Sequence, residues 1–401
     1  MHALFLLQKA DKNDKNKFFS NGLCGVTIKV IMERTIISLF EGDLEGILAK
    51  TFERIDSNGT SPKAIIYFAD FENFEFYTEE LYKKYPDCSI IGSTTYVNFT
   101  TCGSSHQGLS VMAIFDGIEC ATGEIHDIST YPMRHVDNIK KAVSELSSTE
   151  NACCLEFTSA FSNGEEIVLD TFEQGLKETG ITLAGGSSGA NPGLFMTKVG
   201  LNGKVFNNTC VFILIHNLNG KVFIHRGNLF KPTNVILTST DVDCEQRIVY
   251  EYDNEPAADV VAKNLGLSLE QLKKDMLFHP VGRIKGKELF VAGNSRINPD
   301  GSIVYLSRIY NQTKVNLLEM ANFDSAMLEL STTIRSRLGH PSFAIAIQCN
   351  SNSMILEKKR LFDLYTKTLK DNFTNFVGLS GYGEQINNVH LNQTFVTVVF
   401  E

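Results

Sequence analysis

The chain has 401 residues, 43% hydrophobic and 21% charged, with 46 acidic against 37 basic side chains and a formal charge of −9. That composition is globular, excludes disorder as the main state, and at roughly 150 residues per domain leaves room for two or three domains. The acidic balance excludes a broad nucleic-acid or anionic-membrane footprint, and no apolar run approaches the roughly 18 residues of a membrane span.

Residues 1–31 differ from the rest: Asp11 to Lys17 is polar and aperiodic, so this segment reads as a flexible leader or as sequence before a true start at Met32. A strand is expected over Thr35 to Phe40, then a helix capped by Asp43 and running to about Ile55. Beyond it one order recurs three times: apolar strand, polar turn, amphipathic helix, second strand entering a Gly/Ser/Thr turn, and a later closing strand. The first copy runs Ala64 to Phe68, a helix ending before Pro86, Ser89 to Ile91 entering Gly92-Ser93-Thr94-Thr95, and Gly108 to Phe115. The second runs Cys153 to Phe157, a helix opened by the capping-box pattern Ser162-Asn163-Gly164-Glu165, Leu183 entering Ala184 to Gly189, and Val211 to Ile215. Leu201 to Arg226 reads as hairpin-like, with turns at Asn202-Gly203 and Asn219-Gly220.

Between the second and third copies lie a strand-rich stretch from Val235 to Asp253 and a helix from Glu255-Pro256-Ala257 to Leu265, stopped by Gly266. A short helix capped by Ser268 follows, then a hairpin over Leu289 to Ile309 centred on Pro299-Asp300-Gly301. The third copy runs Phe343 to Gln348, a helix, Phe376 entering Gly378 to Glu384, and Phe395 to Phe400. Tyr77, Leu81 and Tyr85 fall on one helical stripe, as do Val168, Phe172 and Leu176. Strand–helix–strand units favour parallel neighbours, and the closing strands add antiparallel ones. The expected fold is therefore α/β, with mixed parallel and antiparallel sheets and flanking helices, built from repeated strand–helix–strand units in two halves.

Nine cysteines without regular spacing form no disulfide framework, and no CxxC or HExxH pattern offers a metal site. A reduced, cytoplasmic protein with no cofactor is expected. P-loop, Rossmann and nucleophile-elbow patterns are absent, which leaves the glycine-rich turns as candidates. Gly92, Ser93 and Thr94, then Gly185, Gly186, Ser187 and Ser188, would expose backbone N–H groups to a ligand with little Cβ bulk in the way, or would simply be tight turns. In Gly381-Tyr382-Gly383-Glu384, the carboxylate would receive an amine at a solvated cleft mouth beside an aromatic wall. Cys349 and Asn350 end an apolar strand and would face the same cleft; Cys349 is the alternative nucleophile of a small-amide hydrolase or transferase. A scaffold holding a partner's peptide is a third reading.

From about Met32 onward the chain resembles the FIST family, paired N- and C-terminal domains found in bacterial signal-transduction proteins and some eukaryotic F-box proteins. The matching stretches are Ile91 to Thr95, Ala184 to Gly189, Asn219-Gly220, Glu255-Pro256-Ala257, His279-Pro280, Arg296 with Asp300-Gly301, and Gly378 to Glu384 followed by Asn392-Gln393-Thr394. The resemblance implies an N-terminal domain over 32–225 and a C-terminal domain over 226–401. It further implies an intracellular sensor of small ligands such as amino acids, with Arg296 among the binding residues and a separate protein as signalling output. Two departures are visible: Val97-Asn98 replaces the family's Gly-Glu after the first turn, and Asn350 stands where an Arg commonly follows the cysteine.

Overall fold

The computed structural model describes residues 33–286 and 288–401, so the leader expectation for 1–31 lies outside the described residues. The first repeat is β1 (Thr35–Phe40), α1 (Leu44–Asp56), β2 (Ala64–Ala69), α2 (Phe74–Lys84), β3 (Ser89–Thr94), β4 (Asn98–Thr100), β5 (Gly103–Ser105) and β6 (Leu109–Ile114). The second is β7 (Ile118–His126), α3 (Val136–Ser144), β8 (Ala152–Thr158), α4 (Ile167–Gly175), β9 (Thr182–Ser187), β10 (Val199–Leu201), β11 (Lys204–Phe206) and β12 (Thr209–Asn217). The third opens with β13 (Val222–Asn228) and is interrupted by an insertion. That insertion is β14 (Phe230–Asp243), β15 (Ile248–Tyr252), β16 (Glu255–Pro256), α5 (Ala257–Leu265), α6 (Leu269–Asp275), β17 (Val281–Lys285), β18 (Glu288–Ala292), β19 (Asn294–Ile297), β20 (Ile303–Tyr305) and β21 (Lys314–Met320). The repeat resumes with α7 (Phe323–Arg337), β22 (Phe343–Cys349), α8 (Asn350–Lys358), α9 (Phe362–Asn372), β23 (Asn375–Gly381), β24 (Glu384–Ile386), β25 (Val389–Leu391) and β26 (Thr394–Phe400).

The recurring unit is therefore larger than its sequence pattern: strand, helix, strand, helix, strand, short hairpin, closing strand. In each copy the two central strands are parallel, β2 with β3, β8 with β9 and β22 with β23, and the closing strand is antiparallel to the first of them. Gly92, Gly185 and Gly378 each occupy the fourth pair of their parallel ladder, opposite Tyr67, Glu156 and Ala346. The short hairpins leave their own repeat. β10–β11 of the second repeat extends the first sheet beside β3, β24–β25 of the third extends the second beside β9, and β4–β5 of the first extends the third beside β23. The three six-stranded sheets are thus joined in a closed cycle.

Alternation along the strands explains the layers. One face of each six-stranded sheet enters a shared core, with Ile66, Phe68 and Met112 from the first repeat, Leu155, Phe157 and Ile213 from the second, and Ile345, Ile347 and Val398 from the third. The opposite faces are covered by each repeat's own helices in separate apolar clusters. The insertion forms a further sheet with its own core under α5, and its first and last residues, Phe230 and Met320, are paired neighbours.

Several local expectations hold. Asp43 caps α1 by accepting the Gly46 N–H, Ser268 and Gln271 form a capping box on α6, and Gly266 ends α5 in the left-handed region at φ 66°. Others are corrected. Ser162 to Glu165 forms no capping box: α4 starts at Ile167, Ser162 donates to the Ser159 carbonyl, and Glu165 accepts the Phe161 N–H. Asn219-Gly220 joins β12 to β13, which lie in different sheets rather than a hairpin. The hairpin around Pro299-Asp300-Gly301 is β19–β20 alone, because β18 pairs with β17.

Candidate functional site

The three glycine-rich turns meet. Gly189 N donates to Thr94 O at 2.8 Å, and Ser93 Oγ to Ser188 Oγ at 2.9 Å. Tyr96 N donates to Ser380 O at 3.0 Å, while Ser380 N returns a bond to Thr95 Oγ1 at 2.8 Å. Ser187 N donates to Gly383 O, and Tyr382 N to Ser187 O. Ser93, Thr94, Ser187, Ser188 and Ser380 are fully buried, so these groups are engaged with one another. Small residues are required because backbones from different repeats touch: a Cβ at Gly381 would run into the Ser187 carbonyl, and one at Gly189 into that of Ser380. At Gly92 it would meet the Tyr67 ring, at Gly185 the Glu156 carboxyl, and at Gly186 Ile347.

Just beyond this junction the repeats present one further equivalent position. Counting from the common glycine pair, Asp70, Ser159 and Cys349 correspond. Each side chain faces N–H groups of the loop entering the closing strand. Asp70 accepts from Gly108 and Ser159 from Thr209, both at 2.8 Å, and the Cys349 sulfur accepts from Gln393. Cys349 therefore fills the place of a structural strand-end acceptor.

In the third repeat this position carries a dense group of buried polar side chains. Glu384, expected at a solvated mouth, is fully buried; its Oε2 accepts from the Thr394 N–H at 3.2 Å and from the Thr394 hydroxyl. Asn352 Nδ2 donates to Thr394 O at 3.2 Å, and Gln393 Nε2 reaches Leu277 O of the insertion at 2.7 Å. Glu384 Oε1, Asn352 Oδ1, Gln385 Oε1, Asn392 Oδ1 and Gln393 Oε1 are left without partners, as is the Tyr365 hydroxyl. Folded proteins leave few buried polar atoms unsatisfied, so such a concentration needs an explanation. Burial pushes the Glu384 carboxyl well above the usual carboxylate range, against the pull of Thr394. Burial, with Glu384 beside it, pushes the Cys349 thiol up to about 12.

Asn350 and Tyr382 border this group. Asn350 Oδ1 accepts from Ser380 Oγ at 3.0 Å, and the Tyr382 hydroxyl donates to Ala190 O at 3.2 Å with its ring 4.5 Å from that of Phe161. Gly383, at φ 143°, leaves room for the His390 ring, whose Nδ1 is 2.9 Å from Gln385 Nε2. His390 also lines a cavity of about 600 Å³ that opens between the insertion and the second repeat, with Arg283, Lys285 and Arg308 on its walls. Arg296 is not brought to this group: it is exposed on β19 and donates to Asn298 Oδ1. Sequence reading missed Asn352, Tyr365, Gln385 and His390. The available signal was Asn350-Ser351-Asn352-Ser353, four polar residues following an apolar strand, all of them buried in the first turns of α8.

The FIST N domain family matches residues 63–255 and the FIST C domain family residues 257–387. No curated protein matches the chain. Among solved structures, a chorismatase crystal structure is similar with a TM-score of 0.32 at 10% identity, covering 93% of this chain and 100% of that one. Among the described residues no helix is long and apolar enough to cross a membrane.

Proposed function

This chain belongs to the FIST family, its N and C domains following one another in a single chain, and on that premise we propose a cytoplasmic sensor for a small amine-bearing ligand. The ligand would be an amino acid or a related metabolite, held at the strand ends of the third repeat, and the bound state would pass to a separate signalling protein. The observation that supports this reading is the sign of the unpartnered groups. Four of them are side-chain carbonyl oxygens that only accept, Asn352 Oδ1, Gln385 Oε1, Asn392 Oδ1 and Gln393 Oε1, and Glu384 Oε1 joins them once the carboxyl is ionised. The fitting occupant is a multiple donor, and an ammonium group brings three N–H bonds. An arriving ammonium would favour the ionised form of Glu384, which burial disfavours when the site is empty, and a charge-assisted bond contributes about 1.5–3 kcal/mol.

Relay follows from position. Gly381 to Glu384 is both the wall of this group and one arm of the junction that ties Ser380 to Thr95 and Tyr382 to Ser187. A ligand that favours one packing of this arm shifts the balance at the contacts with the other two repeats. The enzyme reading loses its activated nucleophile: Cys349 is buried with its thiol pushed up to about 12, and among the described residues it has no histidine partner.

Thermal-shift and calorimetric titration with amino acids, simple amines and neutral isosteres tests the proposal. Glu384→Gln keeps the shape of the neutral acid and should weaken amine-bearing ligands roughly ten- to a hundredfold while leaving the empty protein folded. Equal losses for neutral and amine ligands, together with a fall in Tm, would assign Glu384 a purely structural role and overturn it.

A further inference from the structure

We infer that the first repeat carries a second, independent binding site, for a compact organic ammonium ligand, in the cavity at its own strand ends. Because the repeats share one architecture, the place taken by the polar group in the third repeat exists three times. In the first two it is open: a cavity of about 240 Å³ at Asp70 and Gln107, and one of about 430 Å³ at the corresponding Ser159 and Asn208. Their chemistry has diverged. The second is walled by Phe71, Phe161, Phe195 and Met196, and its Lys198 pairs with Glu75. The first is lined by Asp70, Glu72, Asn73, Tyr77, His106 and Gln107.

Two observations give that cavity its specificity. Asp70 is 5% exposed, and its carboxylate is held rigidly by the Asn73 N–H at 3.1 Å, Asn73 Nδ2 at 2.8 Å and the Gly108 N–H at 2.8 Å. Among the described residues neither Asp70 nor Glu72 has a cationic partner; the nearby His106 pairs with Glu357 at 3.0 Å. Independently, Tyr77 on the cavity wall is fully buried and its hydroxyl has no partner. A fixed carboxylate without a counter-charge, beside an aromatic ring and an unmatched hydroxyl, suits a ligand that carries an ammonium group next to a hydroxyl or carbonyl. At about 240 Å³ the cavity is below the roughly 300–1,000 Å³ of pockets for drug-sized molecules, so the ligand is small.

Ethanolamine is the probe, with ethylene glycol as its neutral isostere, titrated calorimetrically into the full chain carrying Glu384→Gln, so that binding at the third repeat is weakened and the Tyr77 comparison reports on the first. Saturable binding of ethanolamine and none of ethylene glycol is expected. Adding Tyr77→Phe should weaken binding roughly tenfold with an unchanged Tm, since the hydroxyl has no partner to lose. Asp70→Asn should weaken it further. The inference is overturned if ethanolamine does not saturate, or if Tyr77→Phe binds as tightly as its parent. The Tyr77 comparison decides alone should Asp70→Asn unfold, and either result leaves the reading of Glu384 untouched.

Discussion

Glu384 and Glu156 are both carboxylic acids sealed in the protein, and the direction of their shifts fixes a pH dependence. Burial pushes Glu156 up to about 7, although Thr158 Oγ1 donates to it at 2.7 Å and Cys210 Sγ at 3.3 Å. An acid with a raised folded pKa holds its proton longer folded than unfolded. Its contribution is therefore complete below the unfolded value of about 4.3 and is lost as pH rises through the folded value. His225 and His390 act in the opposite sense: burial lowers them to about 4 and about 3, so stability falls as pH drops below about 6.5. The two effects oppose each other in acid and separate above pH 6.5, where only the carboxyls remain. With two carboxyls set against two histidines, urea unfolding should show little change between about pH 4.3 and 6.5 and a fall above that. Above pH 7, where Glu156 becomes ionised, the decline that continues belongs to Glu384. Glu384→Gln should remove that decline, and a flat profile in the parent protein would contradict the neutral-acid assignment. Thiol labelling gives a second check. Exposed Cys102 should react at once, while Cys349 should react only on unfolding; fast labelling of Cys349 would restore the nucleophile reading.

The glycine of each parallel ladder is where packing has least slack. Gly92 faces Tyr67, whose hydroxyl bonds to Thr78 Oγ1 at 2.6 Å and whose ring stacks on Phe74 at 5.5 Å. Gly378 faces Phe99, delivered from the first repeat by β4. Alanine at either site must displace an aromatic ring in a full core, so Gly92→Ala and Gly378→Ala should each cost about 1–3 kcal/mol in urea unfolding. Gly339→Ala, which meets only the end of the Glu401 side chain, should be nearly neutral. If Gly378→Ala proves as mild as that control, the close fit of Phe99 is not what holds β4 to β23. The strands and helices of these units were legible because apolar alternation and the helical stripe are local signals. Of the short hairpins only the turn of β10–β11, at Asn202-Gly203, was legible; where each one docks was not, because a three-residue strand such as Asn98–Thr100 carries no record of its partner, which lies far along the chain in another repeat. The false capping box has a tertiary cause as well: Glu165 is 3.5 Å from Arg247 of the insertion and serves that contact instead. Glu384 could be singled out by its glycine neighbours, but its burial depends on the surrounding third-repeat elements, including Tyr365 of α9, and no local pattern contains that.

Because each six-stranded sheet borrows two strands from another repeat, no repeat is complete by itself. The family boundary at 255–257 passes through the insertion, at β16, which pairs with β15, so the two matched segments are not the physical pieces of the described molecule. A fragment covering 33–221 would keep two repeats and the β10–β11 hairpin of the first sheet. It would lose β24–β25 from the second sheet and leave β4–β5 without β23. It would also uncover Ile66, Leu155 and Ile213, whose core is completed by Ile345, Ile347 and Val398. With apolar burial contributing about 25 cal/mol per Å², removing a third of a shared core exceeds the 5–15 kcal/mol by which a domain is stable. The fragment should bind hydrophobic dye, lose near-ultraviolet dichroism and associate. Excising 232–318 with a short linker is the contrasting case. The insertion has its own core and leaves the body through Phe230 and Met320, which are paired across β14 and β21, so two adjacent ends need only a turn to close them. That chain should unfold in one cooperative transition, with a lowered Tm because Val291 and Leu318 no longer cover the helical side of the third sheet. Ligand affinity at Glu384 should fall with it, since Leu277 no longer anchors Gln393. A cooperatively folding 33–221 fragment, or an excised chain that collapses, would show that the closed cycle of hairpins is not what holds the three sheets together.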